Sequence, residues 1–149
     1  MHESVKRQLI VDAGLHRFAQ YGLRKTSMQD IADSAGISRA SVYSYFKNKE
    51  QIFRSVSIDV HEQAIHEAST ILKDVAQGDV VLCFANALYS RHGRFLDLVL
   101  ESVEGAELEN EYSRLCGDVV ADYSKKFGGQ LAKSIDSANT AGKIDLAAQ

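Results

Sequence analysis

Apolar positions in the first sixty residues recur in steps of three and four, interrupted by short polar turns. In "ESVKRQLIVDAGLHRFAQYG", Ile10, Val11, Gly14, Phe18 and Tyr21 share one face of a helical wheel, which predicts an amphipathic helix over residues 3–21 ended by Gly22. Its other side, with Lys6, Arg7, Asp12 and Gln20, suits solvent or a phosphate backbone equally well. Beyond the connector "LRKT", Ser27 stands three residues ahead of Asp30, the spacing of an N-cap whose partner reaches back to the free amide. A second helix follows, with Met28, Ile31, Ala32 and Ala35 inward and Gly36 at the left-handed position that closes it. Ser38 caps again, and a third short helix over 39–45 turns Val42 and Phe46 inward. Asn48 and Gln51 in "NKEQ" repeat the capping logic and open a long fourth helix with Ile52, Phe53, Val56 and Val60 on its inner side.

The remainder also reads as helix, without the alternation of a strand or an internal repeat. Breaks are expected at Gly78, at "HGR" 92–94, at Gly105 and at Gly142. A last long helix from about 106 carries Leu108, Tyr112, Leu115, Val119, Tyr123, Phe127 and Leu131 at steps of three and four, with Gly128 and Gly129 expected to kink it or to admit a close neighbour. The fold class expected is all-α: an N-terminal three-helix domain with a helix-turn-helix, residues 1–54, followed by a helical C-terminal domain, residues 55–149.

Composition agrees with a soluble globular chain of 149 residues, 45% apolar and 25% charged, without a proline to interrupt a helix. The apolar run "VVLCFA" at 80–85 is far short of the roughly 18 residues of a membrane span, and the first ten residues lack a secretory h-region. A cytoplasmic location without membrane contact is the expectation. Cys83 and Cys116 form no CxxC pair and read as small buried hydrophobes. Charge divides unevenly: residues 1–54 hold nine Lys/Arg against five Asp/Glu, and residues 55–149 hold eight against fifteen, giving +4 and −7. Such asymmetry suits an N-terminal half that meets a polyanion.

Two short helices around a glycine-bearing turn are the signature of the helix-turn-helix, whose second helix enters the major groove of DNA. The outward face of residues 38–45 carries hydroxyls, phenols and a guanidinium, groups that serve phosphate oxygens and base edges and that folding does not require. In fixed order, "RQLIVDAGLHRFAQYG", "TSMQDIADSAGIS" and "ASVYSYFKNKEQIF" resemble the N-terminal domain of the TetR family of transcriptional regulators. That resemblance, over residues 7–56, implies that Thr26 and Ser27 hold a phosphate at the start of the second helix, with Gln29 in its first turn. It places Ser38, Arg39, Ala40, Ser41, Tyr43, Ser44 and Tyr45 on the recognition helix and sets Lys49 against the DNA backbone. Arg39 is the expected base reader, since its fork can grip O6 and N7 of guanine.

The resemblance further implies a C-terminal region that binds a small effector and pairs two copies into a homodimer, the protein acting as a repressor released by that effector. Phe84, Leu88, Tyr89, Leu96, Leu100, Tyr112, Leu115 and Cys116 are the candidate effector-binding residues, although leucines and aromatics at helical spacing also describe plain core. "AGKIDLAAQ" at 141–149 resembles the turn before the last two helices of family members, so those helices are expected to be lacking. Glu62 and His66 have a chelating i, i+4 spacing, but two ligands do not make a metal site. Neither metal nor cofactor is expected, and no nucleophile, base and orienter can be assembled into an enzyme. The alternative reading is a ligand- or protein-binding module that keeps the helix-turn-helix fold without operator binding.

Overall fold

The computed structural model describes residues 3–101 and 104–147, with side chains for residues 4–93 and 104–147. Among the described residues the fold is all helical, with six helices: α1 (Glu3–Tyr21), α2 (Met28–Ala35), α3 (Arg39–Tyr45), α4 (Lys49–Leu72), α5 (Val80–Glu101) and α6 (Gly105–Thr140). Two compact units form from non-contiguous segments, Met1–Asp59 with Leu96–Gly117, and Val60–Phe95 with Asp118–Gln149. Helices α4, α5 and α6 each contribute to both, so no single cut in the chain separates them.

The first unit is built around Ile10, Val11, Phe18, Ile31, Ala32, Val42, Phe46, Ile52 and Phe53, all nearly excluded from solvent. Phe18 meets Phe53 edge-on at 5.3 Å, the arrangement that aromatic quadrupoles favour. Gly14 is there for contact, since a Cβ at that position would come within 2.6 Å of Ile52 Cγ2. Gly22 and Gly36 take left-handed φ values of 76° and 68°, ending α1 and α2 as their positions after the apolar periods predict. Tyr21 departs from its expected inward place: it is exposed, with the Arg17 guanidinium 4.3 Å over its ring. Ala35 and Val60 are half-buried.

In the second unit Ala68, Leu72, Ala87 and Phe127 form the core, with Ile65, Ile71, Phe84 and Leu131 packed against it. Two expected breaks are absent. Helix α5 continues through His92 and Gly93, where the Tyr89 ring lies 2.7 Å from the place a Cβ would take, so Gly93 makes room for a ring and does not end the helix. Helix α6 continues through Gly128 and Gly129, held by Tyr123 and Phe127, which are buried beside them. The expected breaks at Gly78 and Gly142 are turns, and Gly105 opens α6. Cys116 is buried and Cys83 only half-buried.

A polar cluster lies inside this second unit. His61 and Arg91 are 3% and 5% exposed, and Arg91 Nη1 donates to His61 Nδ1 at 3.1 Å, which fixes the imidazole as neutral with its proton on Nε2. Tyr123 stacks on His61 at 5.3 Å, and its hydroxyl donates to Glu62 at 3.0 Å. Burial first, then Glu62, pushes the phenol up to about 12. Burial, with Arg91 and His92 nearby, takes His61 from 6.5 down to about 4. The unfolded chain therefore binds a proton here where the folded chain does not, so stability present above pH 6.5 is lost as the pH falls toward 4. Replacing His61 with Gln, which still accepts from Arg91, should flatten the pH dependence of the unfolding free energy across that interval by roughly 2 kcal/mol. Urea unfolding of both proteins at a series of pH values checks this.

Candidate nucleic-acid interface

The outward surface of the helix-turn-helix begins with the caps that orient α2 and α3. Ser27 Oγ accepts from the Asp30 amide at 3.2 Å, while Asp30 Oδ2 accepts from the Ser27 amide at 2.8 Å and its hydroxyl at 2.6 Å. Those bonds to Ser27 hold the Asp30 carboxyl below its ordinary pKa. Arg17 of α1 reaches the same carboxylate at 3.4 Å. After Gly36, Ser38 Oγ accepts from the Ser41 amide at 3.1 Å and starts α3. With Val42 wholly buried and Phe46 nearly so, geometry alone turns the other side of this seven-residue helix outward.

Ser38, Arg39, Ala40, Tyr43 and Ser44 are exposed together on that side, and Ser41 and Tyr45 are half-exposed. The Arg39 guanidinium sits 5.5 Å over the Tyr43 ring, with Nη2 donating to the phenol oxygen at 3.4 Å, so the two side chains form one stacked pair on the surface. Ser44 donates to the Ala40 carbonyl at 3.1 Å and Gln29 to Asp33 at 2.7 Å. Beside the C-terminal end of α3 a shallow groove of about 260 Å³ is lined by Arg7, Tyr45, Gln51, Arg54 and Ser55. Arg7 lies 5.0 Å over the Phe46 ring and donates to Ser55 at 2.9 Å.

Two of the expected contact residues occupy different places from those the resemblance implies. Thr26 is 1% exposed, its hydroxyl shared between the carbonyls of Gly22 at 2.8 Å and Arg17 at 3.3 Å. The ammonium of Lys49 donates to three carbonyls, Leu23 at 2.7 Å, Thr26 at 3.0 Å and Arg24 at 3.1 Å, which accounts for all its protons. Both residues therefore shape the turn between α1 and α2 from inside. Nothing in the residue types marks this, because a lysine ahead of a helix serves phosphate and carbonyl equally well.

Three carboxylates of "ESVEGAELENE" meet the turn between α1 and α2. Lys25 pairs with Glu104, the Arg24 amide donates to Glu107 at 2.9 Å, and Arg24 Nη2 approaches Glu111 at 3.5 Å. Glu111, held below its ordinary pKa first by Arg114, is buried despite its charge. The cations of the α1–α2 turn are thus matched by acids some eighty residues later in the chain.

The expected effector residues do not come together within either unit. Phe84, Leu88 and Tyr89 belong to the second, Tyr112, Leu115 and Cys116 to the first, and the side chains of Leu96 and Leu100 lie outside the described residues. Leu88 and Tyr89 are exposed. The second unit has its own groove, about 460 Å³, between Leu72, Lys73 and Val75 on one side and Gln130, Lys133 and Ser134 on the other. Glu62 is committed to Tyr123, and no group of three metal-ligating side chains occurs among the described residues.

Residues 10–56, the span of these caps and of the outward face of α3, match the family described as bacterial regulatory proteins, tetR family. Over this N-terminal span the chain is similar to the TetR family. Its likeness to the HTH-type transcriptional regulator AcrR of Shigella flexneri is 40% identity over 50 residues, 34% of this chain and 23% of that protein. The HTH-type transcriptional repressor KstR2 of Mycolicibacterium smegmatis is 43% identical over 54 residues, 36% and 26% of the two chains. The fatty acid metabolism regulator protein of Bacillus subtilis is 27% identical over 146 residues, covering 95% of this chain and 74% of that one. A crystal structure of a TetR-family regulator from Mesorhizobium loti superposes with a TM-score of 0.53 at 21% identity, over 95% of this chain and 66% of that one, and so shares the fold. The match takes up about a quarter of the length of the first curated relatives.

Replacing Lys49 with Met leaves three turn carbonyls without their shared donor. The N-terminal unit should lose about 1–3 kcal/mol of stability, measured as a lower urea midpoint, with the helix content at low urea unchanged.

Proposed function

We propose that the chain is a sequence-specific DNA-binding transcriptional regulator, a repressor that a small-molecule effector releases from its operator, working in the cytoplasm as a homodimer. The observation that carries the reading is the outward face of α3, where Ser38, Arg39, Ala40, Tyr43 and Ser44 are exposed together over a buried Val42. A helix of this length presents its first residues to base edges in the major groove, and the N-terminal amides of α2 with Ser27 lie at the flank where a phosphate would sit. The Arg39–Tyr43 stack stiffens the guanidinium before DNA arrives, so less conformational freedom is lost on reading a guanine. An effector that favours a non-binding arrangement of the two reading heads must in return bind the operator-bound form less tightly.

The alternative reading, a ligand- or protein-binding module without operator recognition, draws support from the pairing of Arg24 and Lys25 with Glu104, Glu107 and Glu111. Phosphates would have to compete with those carboxylates for the turn's cations. Gel-shift titrations with the DNA flanking the protein's own coding region and with random DNA, each at two salt concentrations, separate the readings. Retardation equal on both DNAs, or absent, sinks the regulator.

Under the regulator reading, Arg39→Ala should cost about 1–3 kcal/mol on the specific site and little on random DNA. Equal weakening on both would assign Arg39 to the backbone. Glu104→Gln should free Lys25 and steepen the salt dependence on every sequence by about one counterion. Glu109→Gln, the same charge change at an exposed position on α6, serves as the control and should leave the slope where it was.

A further inference from the structure

One face of α4 meets the N-terminal end of α1 inside the first unit. Gln51, Arg54 and Ser55 recur on that face at i, i+3 and i+4, and with Arg7 of α1 and Tyr45 of α3 they line the groove of about 260 Å³ beside the C-terminal end of α3. This is less than the roughly 300–1,000 Å³ of a pocket for a drug-sized ligand, so the space suits one small group.

The polar side chains of this groove are left as donors. Arg7 lies 5.0 Å over the Phe46 ring and gives Nη2 to Ser55 Oγ at 2.9 Å, which holds its guanidinium in place and leaves Nε and Nη1 to donate. Since Ser55 Oγ accepts from Arg7, the Ser55 proton is directed elsewhere. Gln51 Oε1 accepts from the Lys47 amide at 2.8 Å, so its Nε2 hydrogens remain. Arg54 is steadied by the Leu115 carbonyl, which accepts from its Nη1. The Tyr45 hydroxyl completes the set. No residue that lines the groove is acidic, and the carboxylates of Asp12 and Asp59 accept from Gln8, beside Arg7, at 3.0 and 3.4 Å.

We propose that this groove binds a phosphate group. Two guanidiniums share it without an acid, so an anion between them relieves their repulsion. The donors reach in from three helices, an arrangement that a tetrahedral oxyanion meets on several sides and a planar carboxylate only in its own plane. The phosphate belongs either to a DNA backbone at the end of α3 or to a phosphorylated small molecule, and the chemistry that holds it is the same. The inference goes beyond the regulator reading and does not rest on it, since the site is complete without an operator.

Amide NMR of the whole 149-residue chain, titrated with inorganic phosphate against sodium chloride at constant ionic strength, tests it. The Tyr45, Gln51 and Ser55 amides should shift and saturate, half-way at about 1–10 mM phosphate. Arg7→Gln, at an exposed position, should raise that concentration about ten-fold with an unchanged urea midpoint, and Arg7→Lys, which keeps the charge and loses the fork, should fall between. Lys47→Gln, the same charge change at an exposed residue outside the groove, should leave it where it was. Shifts that acetate reproduces, equal weakening by Arg7→Gln and Lys47→Gln, or no saturation up to about 50 mM phosphate overturns the proposal. Random duplex DNA then assigns the source. For a backbone phosphate, bound duplex should block the three phosphate shifts and Arg7→Gln should lower the salt slope by about one. For a small-molecule phosphate, ribose 5-phosphate should shift the same amides with the duplex bound, and the slope should not change. A chain that binds phosphate and retards no DNA upholds the site while sinking the regulator, and sequence-selective retardation without a phosphate shift does the reverse.

Discussion

The three hydrogen bonds from the Lys49 ammonium to the carbonyls of Leu23, Arg24 and Thr26 tie the first turn of α4 to the connector between α1 and α2. Those carbonyls belong to the turn beyond Tyr21, the last residue of α1, and backbone carbonyls in such a turn need a donor from outside the helix. Gathering them on one cation fixes the chain path into Ser27, whose cap then sets the direction of α2, and Gly36 and Ser38 set that of α3 in turn. The outward face of α3 is thus oriented by a point charge at its base, four residues beyond its own last residue.

That arrangement also explains which parts of the site were legible in the sequence. Caps are local: Ser27 with Asp30, Ser38 with Ser41, and Asn48 with Gln51 all close within three residues, and each is present as its spacing predicts. The inward pair Val42 and Phe46 follows from period alone. Lys49 and Thr26 were read as surface residues because the carbonyls they satisfy belong to the backbone, which has no signature in side-chain types. The roles of Glu104, Glu107 and Glu111 have no local signature, because their partners lie about eighty positions away and no short window holds both members of such a pair.

The glycines of the later helices teach a related lesson. Gly93 and Gly128–Gly129 look like breaks, since glycine costs about 1 kcal/mol in a helix interior. A buried ring beside it or below it offsets such a cost: Tyr89 covers Gly93, and Tyr123 and Phe127 anchor the turn ahead of Gly128. Only where φ turns positive, at Gly22, Gly36 and Gly142, does glycine end a helix here, and those three positions follow completed apolar periods. Tertiary packing decides whether a glycine is a stop or a space.

The same competition between local pattern and packing bears on α5. Its apolar residues show no single stripe, so a reading from period alone assigns all of them to one interior and lists Phe84, Leu88 and Tyr89 together. In the folded chain the interior face goes to Phe84, Ala87 and the buried Arg91, and Leu88 and Tyr89 are left outside. A charged Arg91 at an interior position is tolerated because His61 and Ser124 accept from it, so the helix places polar side chains inward and apolar ones outward over the same two turns. Burial of the chain's own core therefore does not explain Val81, Leu82, Leu88 and Tyr89.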